Sequence, residues 1–218
     1  MSQDPIDTFD ARGWQTLGEH LRGVADAIEA LTADRETTIY DDEWQTIATS
    51  VAWSHDFGKL TPWFQEYLDT EDRSGAPSPQ HTYHGEVSAL ITIPILNKVA
   101  CNSETVAAGF LAVAKHHSVL PDLHTQLKEY SRSQKSQTLS RLDEQLKIID
   151  DHAPEAAHQL VSTASGGTLT WDDLSGVGTS EYQKSIKNLV SVTDSESFYQ
   201  HVLSLWSTLV AADKSDAS

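Results

Sequence analysis

Apolar residues recurring at spacings of three and four run through most of this chain, and that period sets the class of fold before any motif is read. Trp14, Leu17, Leu21, Val24, Ile28 and Leu31 form one such stripe, which predicts a helix burying a single face. A second helix is expected over Trp44, Ile47, Ala48, Val51 and Ala52, capped by Asp41 or Asp42 and stopped by Gly58, which lets the chain turn sharply. Further helices are expected around 62–68, 85–97 and 103–117. Leu139, Leu142, Leu146 and Ile149 mark another, and Phe198, Val202, Leu205 and Leu209 the last. Strand-like alternation is confined to a faint signal at 168–171. The polar stretch 69–80 and the Gly/Thr/Ser-rich stretch 165–180 do not separate independent-looking segments, and no internal repeat is found. These patterns predict one all-α domain over residues 1–218.

Composition narrows what such a domain can be. With 218 residues, 39% of them hydrophobic, and six Trp, six Tyr and five Phe, the chain can bury a sizeable core. Its most apolar stretch, 89–96, is too short to span a membrane, and the acidic N-terminus lacks a signal-peptide pattern, so a soluble cytoplasmic protein without a membrane partner is expected. The single cysteine, Cys101, excludes an internal disulfide framework and any multi-Cys zinc site. A metal would have to be held by His and carboxylates. The 15 basic and 32 acidic residues leave a net charge of −17, which repels nucleic acid unless cations or a basic stripe compensate. The same balance suits a protein that stays soluble at high salt.

The sharpest local signal is His55-Asp56-Phe57-Gly58-Lys59. Adjacent His and Asp at the end of an apolar helix place an imidazole beside a carboxylate. Both bind divalent cations, and the carboxylate has two oxygens with which to bridge two of them. Lys59 follows as a cation for a phosphate. His116-His117 closes the helix carrying Phe110 and Val113, as a ligand pair or as hydrogen-bonded core residues. His84 opens the helix of Ser88, Leu90 and Ile91, with His81 as its competitor. His20 sits at the margin of the first stripe, where a surface or core histidine is the plain reading. Asp213 follows Leu209 by four residues on the last helix, with Asp216 as its rival. Together these supply seven N/O side chains, enough for two divalent ions that would activate water and stabilise a leaving oxygen in phosphodiester hydrolysis. Histidine must be neutral to bind, so occupancy should fall as pH drops through the imidazole range.

The run from His55 to Leu68, HDFGKLTPWFQEYL, resembles the HD superfamily of metal-dependent phosphohydrolases and, more narrowly, the HD nuclease domain of the CRISPR-associated helicase-nuclease of type I systems. Glu19-His20-Leu21, the segment from His84 to Ala89, Ala114 to His117 and Ala212 to Ala217 carry the rest of the likeness. It spans 19–217, loosely between 119 and 198. The resemblance implies an HD-domain helical bundle around a binuclear metal site. His20, His55, Asp56 and Asp213 would hold one ion, and Asp56, His84, His116 and His117 the other. Lys59 would face substrate phosphate, and Ser88 would support the site by hydrogen bonding. It further implies an endo- or exodeoxyribonuclease preferring single-stranded DNA, acting in antiviral defence on the strand opened by a crRNA-guided surveillance complex. With no GxxxxGK[ST] loop in the chain, a helicase is expected in trans or as a further C-terminal part.

The two ions could be Mn, Fe, Co, Ni, Mg or Zn, since mixed N/O sites accept them all. Residues 1–58 carry Arg12, Arg22 and Arg35 against twelve acids, whereas Lys115 to Lys147 holds Lys115, Lys128, Arg132, Lys135, Arg141 and Lys147 against four. That stretch is the better strand path, or an ordinary solvated helix face. Trp63, Phe64 and Tyr67 could stack on bases, or belong to the core. The competing readings are a phosphohydrolase of small nucleotides, such as a cyclic dinucleotide phosphodiesterase, and a non-catalytic recruitment module.

Overall fold

The computed structural model describes residues 4–33, 42–70, 79–100, 102–120, 122–132, 137–191 and 196–217. Positions 71–78 of the polar stretch expected over 69–80, together with Arg35, Asp41, Cys101 and Lys135, lie outside them.

A 3-10 turn at Pro5–Thr8 leads into a small antiparallel hairpin, Asp10–Arg12 (β1) and Gln15–Thr16 (β2). Trp14 therefore does not start the first helix. It stands in the hairpin turn, 68% exposed, and Leu31 is 38% exposed, whereas Leu17, Leu21, Val24 and Ile28 are buried as expected. The reason is a cap. The Thr16 hydroxyl accepts from the Glu19 N–H at 3.2 Å, and the Thr16 N–H donates to the Glu19 carboxylate at 3.1 Å, which starts α1 at Leu17 (Leu17–Ala33).

The chain continues through α2 (Asp42–Ser54), a 3-10 turn at Phe57–Leu60, α3 (Pro62–Asp69), α4 (Pro79–Thr82), α5 (Gly85–Val99) and α6 (Ser103–Ala114). Thr61 caps α3 through its hydroxyl, and Asn102 caps α6. Then follow α7 (Leu123–Arg132), α8 (Gln137–His152), α9 (Pro154–Ala164), α10 (Thr179–Val190) and α11 (Glu196–Asp216). The architecture is all-α, and among the described residues the hairpin is the only sheet. The faint strand at 168–171 is absent: Thr170 and Asp173 form a capping box on a 3-10 turn at Trp171–Asp173, after a reversal in which Gly166 and Gly167 take φ of 62° and 80°. Local cap chemistry outweighs a four-residue alternation.

One core runs from Ile6 to Ala212. Its centre is α5 packed along α6, with α11 on α6, α1 between α11 and α2, and α2 against α5 and α9. Residues Val87 to Ile93 and Thr105 to Val113 are buried without a gap, as helices surrounded by others must be. No described helix is long and apolar enough to cross a membrane.

Candidate metal centre

The chemistry-bearing residues sit at helix ends that converge on one place. His20 lies in the first turns of α1. His55 and Asp56 follow α2, and His84 immediately precedes α5. His116 and His117 come just after α6, which stops at Ala114 rather than at His117. There the Trp206 indole N–H takes the Lys115 carbonyl at 3.0 Å. Asp213 and Asp216 lie in the last turn of α11.

Asp56 is the hub. It is 1% exposed. Its Oδ2 lies 3.0 Å from His20 Nε2, 3.3 Å from His55 Nε2 and 2.7 Å from the Lys59 ammonium. Its Oδ1 lies 3.0 Å from His84 Nε2 and 3.5 Å from His116 Nε2. Two groups of potential ligand atoms result, each with its members within 4.8 Å of one another: His20, His55 and Asp213, and Asp56, His84, His116 and His117. One carboxylate oxygen faces each group. Burial opposes the charge on Asp56, but His55, Lys59 and His84 outweigh it and hold the carboxyl well below the ordinary carboxylate range. Burial pushes the His84 imidazole down to about 4, so at neutral pH its ring is uncharged and able to ligate.

The proton positions decide what fits. His55 Nδ1 lies 2.6 Å from the Ala52 carbonyl and His116 Nδ1 2.6 Å from the Val113 carbonyl. A carbonyl only accepts, so each Nδ1 carries the proton and each neutral ring presents an Nε2 lone pair. His20 Nδ1 is committed likewise to Asp216 Oδ2 at 2.6 Å. The three buried Nε2 atoms make no hydrogen bond, yet all face the oxygens of a single carboxylate. Protonating all three would instead crowd three cations and Lys59 around one anion in the interior. Lone pairs converging on a carboxylate are reconciled by a divalent cation, and this His/Asp cluster could hold one.

The family whose model describes the HD domain of Cas3 matches residues 6–194. The chain belongs to the Cas3 HD-domain family. A similar curated protein is the CRISPR-associated nuclease/helicase Cas3 of Haloferax volcanii, 29% identical over 175 residues, which cover 75% of this chain and 18% of that protein. The chain thus spans about a fifth of the curated relative it matches. No solved structure matches it.

Within this Cas3 HD fold all seven expected ligand residues, His20, His55, Asp56, His84, His116, His117 and Asp213, come together. His81 does not: it stacks on Trp63, with ring centroids 4.5 Å apart. Lys59 is placed differently from the expectation of an ammonium facing substrate. It is 5% exposed, paired with Asp56, and donates to the Ala11 carbonyl at 3.2 Å. Ser88 is fully buried; its hydroxyl accepts from the Gly58 N–H at 2.9 Å and donates to the His84 carbonyl at 2.8 Å, joining the two motifs. Gln145, on α8, donates to the carbonyls of His81 and Tyr83 and so fixes the segment that leads into His84. Phe64 is buried, and Arg141 of the basic stretch is spent on Glu86.

The sequence marks Arg12 only as one of three basic residues in 1–58 and does not mark Gln15, yet the Arg12 guanidinium lies 3.0 Å from Asp213 Oδ1 and 3.5 Å from Asp216 Oδ2, and the Gln15 amide 2.8 Å from Asp216 Oδ2. Only the i, i+3 spacing of the two acids hinted at a shared face, and nothing local tied the hairpin to them.

Proposed function

We propose that this chain is a metal-dependent deoxyribonuclease domain, one HD unit over residues 1–218, that hydrolyses phosphodiester bonds of single-stranded DNA with two divalent cations. The observation that supports this best is the convergence of three histidine lone pairs on the two oxygens of Asp56. His20, His55, Asp56 and Asp213 would hold one ion; Asp56, His84, His116 and His117 would hold the other. Cations bound there supply Lewis acidity toward the phosphodiester and lower the pKa of water. The chain's own residues do the rest. Asp56 stays ionised beside Lys59, the carbonyls of Ala52 and Val113 hold two imidazoles in the ligating tautomer, and the helix ends keep the ligands close.

The relative's name couples a nuclease to a helicase, and this chain matches a fifth of it. The reading therefore includes a helicase partner, in trans or in the same polypeptide, and delivery of the strand by a crRNA-guided surveillance complex in the cytoplasm. With a charge of −17, intrinsic DNA affinity should be weak and depend on the cations.

The test is Asp56→Ala in a Mn²⁺-supplemented assay on single-stranded DNA, with cyclic dinucleotides as the competing substrate. Loss of DNA cleavage with an unchanged helical circular-dichroism spectrum is expected. Cleavage retained by the variant, or cyclic dinucleotides turned over in preference to DNA, overturns the proposal. A wild-type chain that takes up no cation and cleaves neither leaves a recruitment module in its place.

A further inference from the structure

The histidines of the centre are not anchored alike. His55 and His116 each donate Nδ1–H to a backbone carbonyl. The buried Nδ1 of His84 makes no hydrogen bond. His20 alone among these donates to a carboxylate, at 2.6 Å from Asp216 Oδ2. That carboxylate is itself held, by the Gln15 amide at 2.8 Å and by Arg12 at 3.5 Å, both on the hairpin. Room for it comes from Gly23, three residues beyond His20 on α1, where an added methyl would overlap the Asp216 carboxyl. Asp216 thus lies behind the ring, on the side away from Asp56, while Asp213 lies in front, with Oδ1 3.4 Å from His20 Nε2.

A carboxylate on the far nitrogen of a ligating imidazole fixes its tautomer and orientation and raises its basicity toward the metal. A ring with no such partner must be oriented on binding, at an entropic cost. The rival acids of α11 accordingly have different tasks. Building on the two-cation reading above, we infer that Asp216 is a positioning residue for His20, and that the position formed by His20, His55 and Asp213 binds its cation more tightly than the one formed by His84, His116 and His117. Cations would load in that order, and the second position would be the one sensitive to supply.

The test is calorimetric titration of the full, chelator-stripped chain with Mn²⁺, without DNA. Wild type should show two phases. Asp216→Ala should weaken the tighter phase about 10- to 100-fold and leave the weaker one in place. Asp216→Asn, whose amide oxygen still accepts from His20, should recover part of the loss, and His84→Ala should remove only the weaker phase. Gln15→Ala, a milder change at the same carboxylate, gives a smaller loss in the tighter phase and serves if Asp216→Ala loses its helical spectrum. An unaffected tighter phase, equal weakening of both, or a single phase of two equivalent ions overturns this inference and leaves the metal reading standing. No uptake of Mn²⁺ by wild type overturns both.

Discussion

The Lys59 ammonium lies 2.7 Å from Asp56 Oδ2, three residues away along the 3-10 turn, with both groups buried. It supplies positive charge to the hub carboxylate whether or not cations are bound. Breaking a buried pair by removing one partner leaves an uncompensated charge and costs about 3–5 kcal/mol. Lys59→Met should therefore destabilise the chelator-treated protein by about that much in urea unfolding, and Mn²⁺ should restore part of it by replacing the lost charge. An equal loss with and without Mn²⁺ contradicts this role.

Gly58 is required for a reason other than its torsion freedom. Its φ is not positive, but a Cβ there would stand 2.8 Å from the Cα and Cβ of His84, closer than carbon atoms pack. Gly58→Ala must push the start of α5 away and carry His84 with it. Overpacking of this kind costs about 1–3 kcal/mol. The expected result is that loss of stability together with weaker Mn²⁺ uptake, whereas Gly13→Ala, whose added Cβ would meet no atom within 4 Å, should change neither. Unaltered Mn²⁺ binding by Gly58→Ala would mean that the Gly58–His84 contact does not position the ligand.

What could be read from the sequence was whatever is written locally. His55 and Asp56 are adjacent, and the stripe through Leu17, Leu21, Val24 and Ile28 shows its own period. The joining of His20 to Asp213, nearly two hundred residues away, was expected only through the family resemblance, because no local pattern encodes it, and the contact of His20 with Asp216 was not expected at all. Lys59 was read as substrate-facing because its burial depends on a carbonyl supplied by Ala11. Trp14 was placed in the first helix because its spacing to Leu17 fits, although Thr16 and Glu19 already spelled a capping box that starts the helix later. The helices α7, α9 and α10 were not anticipated. In α9 the buried face consists largely of alanines, Ala156, Ala157 and Ala164 beside Leu160 and Val161, a weak stripe on any hydropathy reading.

His84 makes the metal-free fold sensitive to acid. Its ordinary value of 6.5 is lowered to about 4 by burial, only partly offset by Asp56. A depressed pKa means that the unfolded chain binds a proton at a higher pH than the folded one, so stability is complete above about 6.5 and declines as pH falls toward 4. His117, lowered in the same direction by burial and by its neighbours His116 and His84, adds to the slope. Urea midpoints measured in chelator from pH 7.5 to 4.5 should decrease steadily, and His84→Asn should flatten the curve. A flat wild-type profile would contradict the assignment.

The net charge of −17 and the buried centre should respond differently to salt. Self-repulsion among surface acids is long-ranged and is screened once the Debye length falls to about 3 Å near 1 M. The Asp56–Lys59 pair, closed off from solvent and 2.7 Å apart, is screened far less. Raising KCl from low to molar concentration should therefore increase the thermal midpoint and preserve the far-ultraviolet helical signal. It should leave the stability difference between wild type and Lys59→Met nearly constant. Loss of the helical signal in molar KCl would show that the acidic surface is no adaptation to salt, and a shrinking difference would show that the pair is reached by solvent.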